Sequence, residues 1–277
     1  MNRVGGRKSR LALIPAGVAL TLVFPPLAQA TDIGPDAFGY SATDEAAFSW
    51  IDISPTGTPA LSGVDDSPAA SANLGFTFNF YGADYTSVDW SANGLLTFGG
   101  PNTQFTNVDL TTASPFANAP TIAALWDDWE FISDGSDQTY YQTLGSPGSQ
   151  MFVVQWNDAN GFFESPSPVT FEAILFEGSN DILLQYADVD SGDSRSFGGE
   201  STVGIRDIDG ESNGRVLQWS FDNNVIPNQY AIRFSTGEPV TPSPVIPEPA
   251  SLSLMTLGLL GLGVAKRSRN ARRSSRT

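Results

Sequence analysis

Leu74-Gly-Phe-Thr-Phe-Asn-Phe80 puts Leu74, Phe76, Phe78 and Phe80 on one side of an extended chain and Gly75, Thr77 and Asn79 on the other. A period of two belongs to a strand that buries one face and wets the other. Tyr81-Gly82 then turns the chain, Val88 and Trp90 resume the apolar pattern, and Asn93-Gly94 leads into Leu96 and Phe98. A type I′ turn needs positive φ at both central residues and Asn-Gly suits it best, so a hairpin is expected about Asn93-Gly94.

The same grammar continues downstream. Strands are expected at Thr121–Trp126, Thr139–Gln142, Phe152–Trp156, Val169–Phe176, Ile182–Tyr186, Thr202–Arg206, Val216–Phe221 and Tyr230–Phe234. Phe152, Val154 and Trp156 share one face, and Gly178-Ser179-Asn180 supplies a second hairpin turn. No segment in this span sustains a period of 3.6 residues. Short strands separated by Gly, Asn and Asp turns predict an all-β body, an antiparallel β-sandwich or related barrel.

Composition narrows the chemistry. The chain has no Cys and no His, which excludes disulfides, thiolate catalysis, Ser-His-Asp triads and His-ligated zinc. Ten of its fourteen basic residues lie in the first ten and last twelve positions. Between them, Arg195, Arg206, Arg215 and Arg233 face all thirty acidic residues, a net charge of −26. Such a body repels nucleic acid and is expected to have no nucleic-acid partner.

Both ends read as targeting segments. Arg3, Arg7, Lys8 and Arg10 precede the apolar run from Leu11 to Phe24, and Ala28-Gln29-Ala30 follows. This is the pattern of a signal peptide over residues 1–30, read by the general secretion machinery and cut after Ala30, with an uncleaved N-terminal anchor as the alternative. The folded body is expected over 31–236. Residues 237–249 form a Pro-rich linker. Ala250 to Ala265 are uncharged and as a helix span roughly 24 Å at about 1.5 Å per residue, a short transmembrane segment. Residues 266–277 carry six basic residues, which place this tail in the cytoplasm and the body outside.

Pro247-Glu248-Pro249, followed by the apolar segment and the Arg-rich end, resembles the PEP-CTERM sorting signal of Gram-negative bacteria. The resemblance implies recognition by an exosortase, a transient stay in the inner membrane, and delivery to the cell surface or the exopolysaccharide matrix. A permanently retained anchor is the alternative. Phe76 to Tyr81, Asn93-Gly94 with Phe98, Ile122 to Asp128, Val153 to Asn157 and Thr170 to Tyr186 together resemble the nidogen-like (NIDO) β domain over residues 70–234. That likeness implies a structural or adhesive module with no catalytic residues to carry over.

Two acidic loops have the spacing of cation ligands. Asp207, Asp209, Glu211 and Asn213 precede Gly214, and from Asp209 the first, third and fifth positions offer oxygens, although the twelfth is Ser220. Asp188, Asp190 and Asp193 form the other loop. Each is a candidate calcium site, with turn-forming side chains as the simpler account. Asp127 and Asp128 between Trp126 and Trp129 suggest a carboxylate pair beside a sugar-stacking platform, although Trp residues in a β body more often anchor the core. The expected function is a non-enzymatic exported surface or matrix protein needing no cofactor. The alternative is a calcium-dependent adhesive or carbohydrate-binding module, and a carboxylate hydrolase is the third reading.

Overall fold

The computed structural model describes residues 31–114, 119–132, 135, 137–163 and 166–237. These form an antiparallel sandwich of two sheets. In chain order the strands are β1 (Asp32–Ile33), β2 (Ser41–Thr43), β3 (Thr58–Pro59), β4 (Ala70–Phe80), β5 (Ala83–Trp90), β6 (Leu95–Thr97), β7 (Thr121–Trp126) and β8 (Trp129–Glu130). They continue as β9 (Gln138–Leu144), β10 (Met151–Gly161), β11 (Val169–Phe176), β12 (Ile182–Asp188), β13 (Thr202–Arg206), β14 (Val216–Phe221) and β15 (Tyr230–Ser235). A four-residue helix, Gly210–Asn213, links β13 to β14.

The first sheet runs β1-β2-β15-β12-β11-β10-β9-β3 with β8 added beside β10, and the second runs β14-β13-β7-β6-β5-β4. Every strand predicted from alternation is present. The four that alternation did not reveal, β1, β2, β3 and β8, are only two or three residues long. The predicted membrane helix, basic tail and signal segment, and the linker beyond Gly237, lie outside the described residues. No helix among the described residues is long and apolar enough to cross a membrane.

The alternating faces meet where the pattern requires. Phe78, Phe80, Trp90 and Leu96 of the second sheet pack against Phe152, Trp156, Phe171 and Phe234 of the first, all essentially inaccessible. The aromatic rings bring polar atoms into this core, and those of Trp156, Tyr186 and Trp90 find partners across it. Trp156 Nε1 donates to the Ser91 carbonyl (2.8 Å), the Tyr186 hydroxyl to the Ala124 carbonyl (2.8 Å) and Trp90 Nε1 to Thr139 Oγ1 (3.0 Å). All three bonds cross from one layer to the other, the Trp156 bond ending on the corner just after β5.

The two early turns exchange the roles read from sequence. Tyr81-Gly82 is the two-residue loop, with Phe80 opposite Ala83 and φ of 52° and 87°, which is the backbone a type I′ turn needs. Tyr81 tolerates a left-handed conformation because its ring is buried against Phe38, Tyr40 and Phe80. At the second corner the Ser91 N–H donates to the Leu95 carbonyl (3.1 Å), leaving a three-residue loop in which Gly94 has positive φ and Asn93 does not. This corner is not type I′. It is buried against β7, where the Ala124 N–H donates to the Gly94 carbonyl (2.9 Å).

The outer face of the first sheet is also covered. Residues 44–57 leave β2, next to the β1 edge, cross β12, β11 and β10, and rejoin the sheet as β3 at the far edge. Beneath this strap lie Val153, Ile174 and Tyr140, packed with Ile53. The long apolar runs of β10 and β11 follow from burial on both faces.

A Cβ at Gly94 would sit 2.4 Å from the Leu125 carbonyl oxygen at φ +77°, whereas at Gly99, φ +85°, it would meet nothing within 4 Å. Both alanine variants bear left-handed backbone strain, on the order of 1–3 kcal/mol. Gly94→Ala is therefore expected to lower the urea midpoint well beyond Gly99→Ala, and equal losses would remove the buried-corner account.

Candidate functional site

The buried corner organises one end of the sandwich. Asn93 is fully inaccessible. Its Nδ2 donates to Asp66 Oδ1 (3.0 Å) and to the Thr103 carbonyl (3.3 Å), and its Oδ1 accepts the Trp129 N–H (2.9 Å). Its own carbonyl accepts the Asp127 N–H (3.3 Å). One amide side chain thus joins the loop before β4, the loop after β6 and the turn between β7 and β8.

Asp65, Asp66 and Asp128 meet at this end, each offering a carboxylate oxygen within 4.8 Å of the others. Asp127 and Asp128 also line a cavity of about 450 Å³ with Asn107, Arg195, Glu200 and Asp222. Asp127 is only 6% exposed. Its carboxylate accepts the Asp128 N–H (2.8 Å) and the Ser201 hydroxyl (3.2 Å). Burial pushes its pKa up to about 7 despite those bonds and the nearby Arg195. Asp128 rises to about 6, first through burial and then through the charges of Asp65 and Asp66. Asp65 is raised by burial and by Asp66. Three crowded carboxylates of this kind have the donor set of a hard, oxygen-seeking cation such as calcium.

The sequence-predicted acidic loops have other geometry. Asp207 pairs with Arg215 (3.0 Å) and its Oδ1 accepts the Ile208 N–H. Glu211 pairs with the buried Arg206. Asn213 accepts the Arg215 N–H and donates to the Ile208 carbonyl, while Asp209 sits at positive φ before the short helix. In the other loop Asp188 accepts from Asp190 and Asn228, Asp190 from Gly192 and Ser196, and Asp193 from Ser191 and Arg195. The three carboxylates brought together are instead Asp65, Asp66 and Asp128. Sequence reasoning passed over Asp65 and Asp66, whose only signal is an acidic pair in a Gly- and Pro-flanked loop.

Trp126 and Trp129 are fully buried, with Nε1 donating to the Gln104 and Leu125 carbonyls (both 2.7 Å). They anchor the Asp127-Asp128 turn from beneath and present no ring face to a sugar. Ala28, Ala30, Pro247, Glu248 and Pro249 lie outside the described residues.

A two-sheet antiparallel domain with a cation-suited acidic end and an open polar cavity, built without cysteine, defines an extracellular-type β module. Residues 39–236 match the NIDO-related family model, and the chain belongs to that family. The match extends well upstream of residue 70 and takes in the strap over the first sheet. Residues 245–269 match the PEP-CTERM protein-sorting motif, which marks the chain as an exported protein sorted by an exosortase. Neither a curated protein nor a solved structure matches the chain.

Because the folded pKa of Asp127 lies above its ordinary value near 3.8, the folded state holds a proton that the unfolded chain has lost. Stability from this group is full below about pH 4, declines as pH rises to about 7 and is level above. Asp127→Asn keeps an acceptor for the Asp128 N–H and removes the ionisation. It is expected to flatten urea-measured stability between pH 4 and 7 by a few kcal/mol at most, roughly 1.4 per pKa unit. An unchanged pH slope in the variant would contradict the buried-acid assignment.

Proposed function

We propose that this is a non-enzymatic surface or matrix protein of a Gram-negative bacterium. It is exported through a cleaved signal peptide, held briefly in the inner membrane by residues 250–265, and processed by an exosortase near Pro247-Glu248-Pro249. The observation that carries this reading is the order of modules: a NIDO-related domain over 39–236 followed directly by the sorting motif at 245–269. The lack of His and Cys and the burial of both Trp residues flanking Asp127-Asp128 support a contact module over a hydrolase. Intact mass of the protein from strains with and without the exosortase tests it. Loss of the segment after the motif is expected only where the enzyme is present, and retention of residues 250–277 in both strains would replace processing with a permanent anchor.

One observation favours a second reading, calcium-dependent binding of a carbohydrate polymer: the Asp65, Asp66 and Asp128 oxygens converge beside the polar cavity. Calcium at 100 times its Kd should then stabilise the protein by about 2.7 kcal/mol, and Asp66→Asn with Asp128→Asn should abolish the rise in melting temperature. A glycan array with and without calcium identifies the polymer. No thermal shift at millimolar calcium would remove this reading and leave the first untouched.

A further inference from the structure

Three side chains on the outer face of the first sheet form a row across adjacent strands: Gln155 of β10 opposite Glu172 of β11, and Glu172 opposite Gln185 of β12. All three are polar, and none is more than 1% exposed. They are buried because the strap lies over them and uses them as its hydrogen-bonding partners. Gln185 Oε1 accepts the Ser49 N–H (2.6 Å), Glu172 Oε1 the Ile51 N–H (3.2 Å) and Gln155 Oε1 the Ile53 N–H (2.9 Å). Gln185 Nε2 donates to the Ser49 carbonyl (2.9 Å) and to Glu172 Oε1 (2.7 Å). A strand would hold such a segment by a backbone ladder, whereas here every second amide rests on one side chain of the row.

We propose that the strap is a proton-controlled latch, clamped while Glu172 carries a proton and loosened when Glu172 ionises, so that the apolar strip of Val153 and Ile174 becomes uncovered. Glu172 Oε2 is buried and has no hydrogen-bond partner. Its neighbours on β10 and β12, Gln155 and Gln185, are neutral, and the charged group facing it is Asp52 on the strap itself, which disfavours ionisation. The four arginines of the body are paired with Asp193, Glu211, Asp207 and Asp181. Burial raises the Glu172 pKa to about 8, outweighing the hydrogen bonds from Ile51 and Gln185, which favour the ionised form. A lifted strap restores water to the carboxyl and returns its pKa toward the ordinary value near 4.5. Opening therefore becomes easier as pH climbs between these two values and levels off above the higher one.

The chain has no cysteine, so one introduced thiol reports the latch. Full-length protein bearing Ile53→Cys, a position 1% exposed, is labelled with iodoacetamide across pH 5.5 to 9. Rates are divided by those of the same protein in urea, which cancels titration of the thiol. A parallel Ile232→Cys protein reports global unfolding. The expected result is faster labelling at 53 than at 232, with the opening constant rising about tenfold per pH unit up to roughly pH 8 and then flattening. Glu172→Gln should make that profile flat, and Asp52→Asn should move its levelling point to lower pH. Equal labelling at 53 and 232, a pH-independent opening constant, or an unchanged slope in Glu172→Gln would each overturn the latch.

Discussion

Three hydrogen bonds between the sheets fix the register on which everything else depends. A sandwich held by hydrophobic contact alone is free to slide, because the attraction scales with area and has no direction. Donors on Trp90, Trp156 and Tyr186 remove that freedom, since a slide would strand each donor in the core at a cost of about 1–3 kcal/mol apiece. A chain without cysteine has no covalent substitute. The Trp156 bond ends on the Ser91 carbonyl, two residues before Asn93, so the same contact that registers the sheets holds the corner that positions Asp66 and the Asp127-Asp128 turn. Core packing and site geometry form one connected structure.

The strands were legible because each buries at least one face, and burial leaves an alternation that any window along the chain detects. Tyr230, Ile232 and Phe234 show this as well as Phe76, Phe78 and Phe80 do. Turn chemistry was only half legible. Asn93-Gly94 has the composition of an exposed hairpin tip, yet whether a corner faces water or a neighbouring strand depends on β7, about thirty residues downstream. Gly94 is required by the approach of the Leu125 carbonyl, a reason invisible in the dipeptide. The strap was illegible altogether: Ser49, Ile51 and Ile53 pair with side chains 102 to 136 positions away, and these three amides bond to side chains of the sheet rather than to a strand's backbone.

The carboxylates that converge lie outside the loops that spacing singled out, for a related reason. Spacing such as Asp209, Glu211, Asn213 records what one loop offers, but a ligand set also requires those oxygens to be unclaimed. In the structure Arg206 and Arg215 engage this loop. Asp65 and Asp66 lack any diagnostic spacing, and they reach Asp128 because Asn93 draws the loop before β4 to the end of β7. Convergence from separate loops is a property of topology, which one sequence shows only through the fold it specifies.

Charge scarcity joins these features. With four arginines against twenty-eight acidic residues over 31–236, and each arginine paired with a carboxylate, few cations remain for carboxyls that packing draws inward. Arg195 alone lies close enough to lower Asp127 and Asp128, and burial still outweighs it at both; Glu172 has no such neighbour. A buried carboxyl without a cationic partner is accommodated most cheaply by keeping its proton. The fold therefore uses protons where a more basic protein would use lysine or arginine. Asp127 and Glu172, the two buried carboxyls that burial raises, shift the same way, so their contribution to stability is greater in mildly acidic surroundings than in alkaline ones. For a protein exported from the buffered cytoplasm, that coupling ties stability to the pH outside.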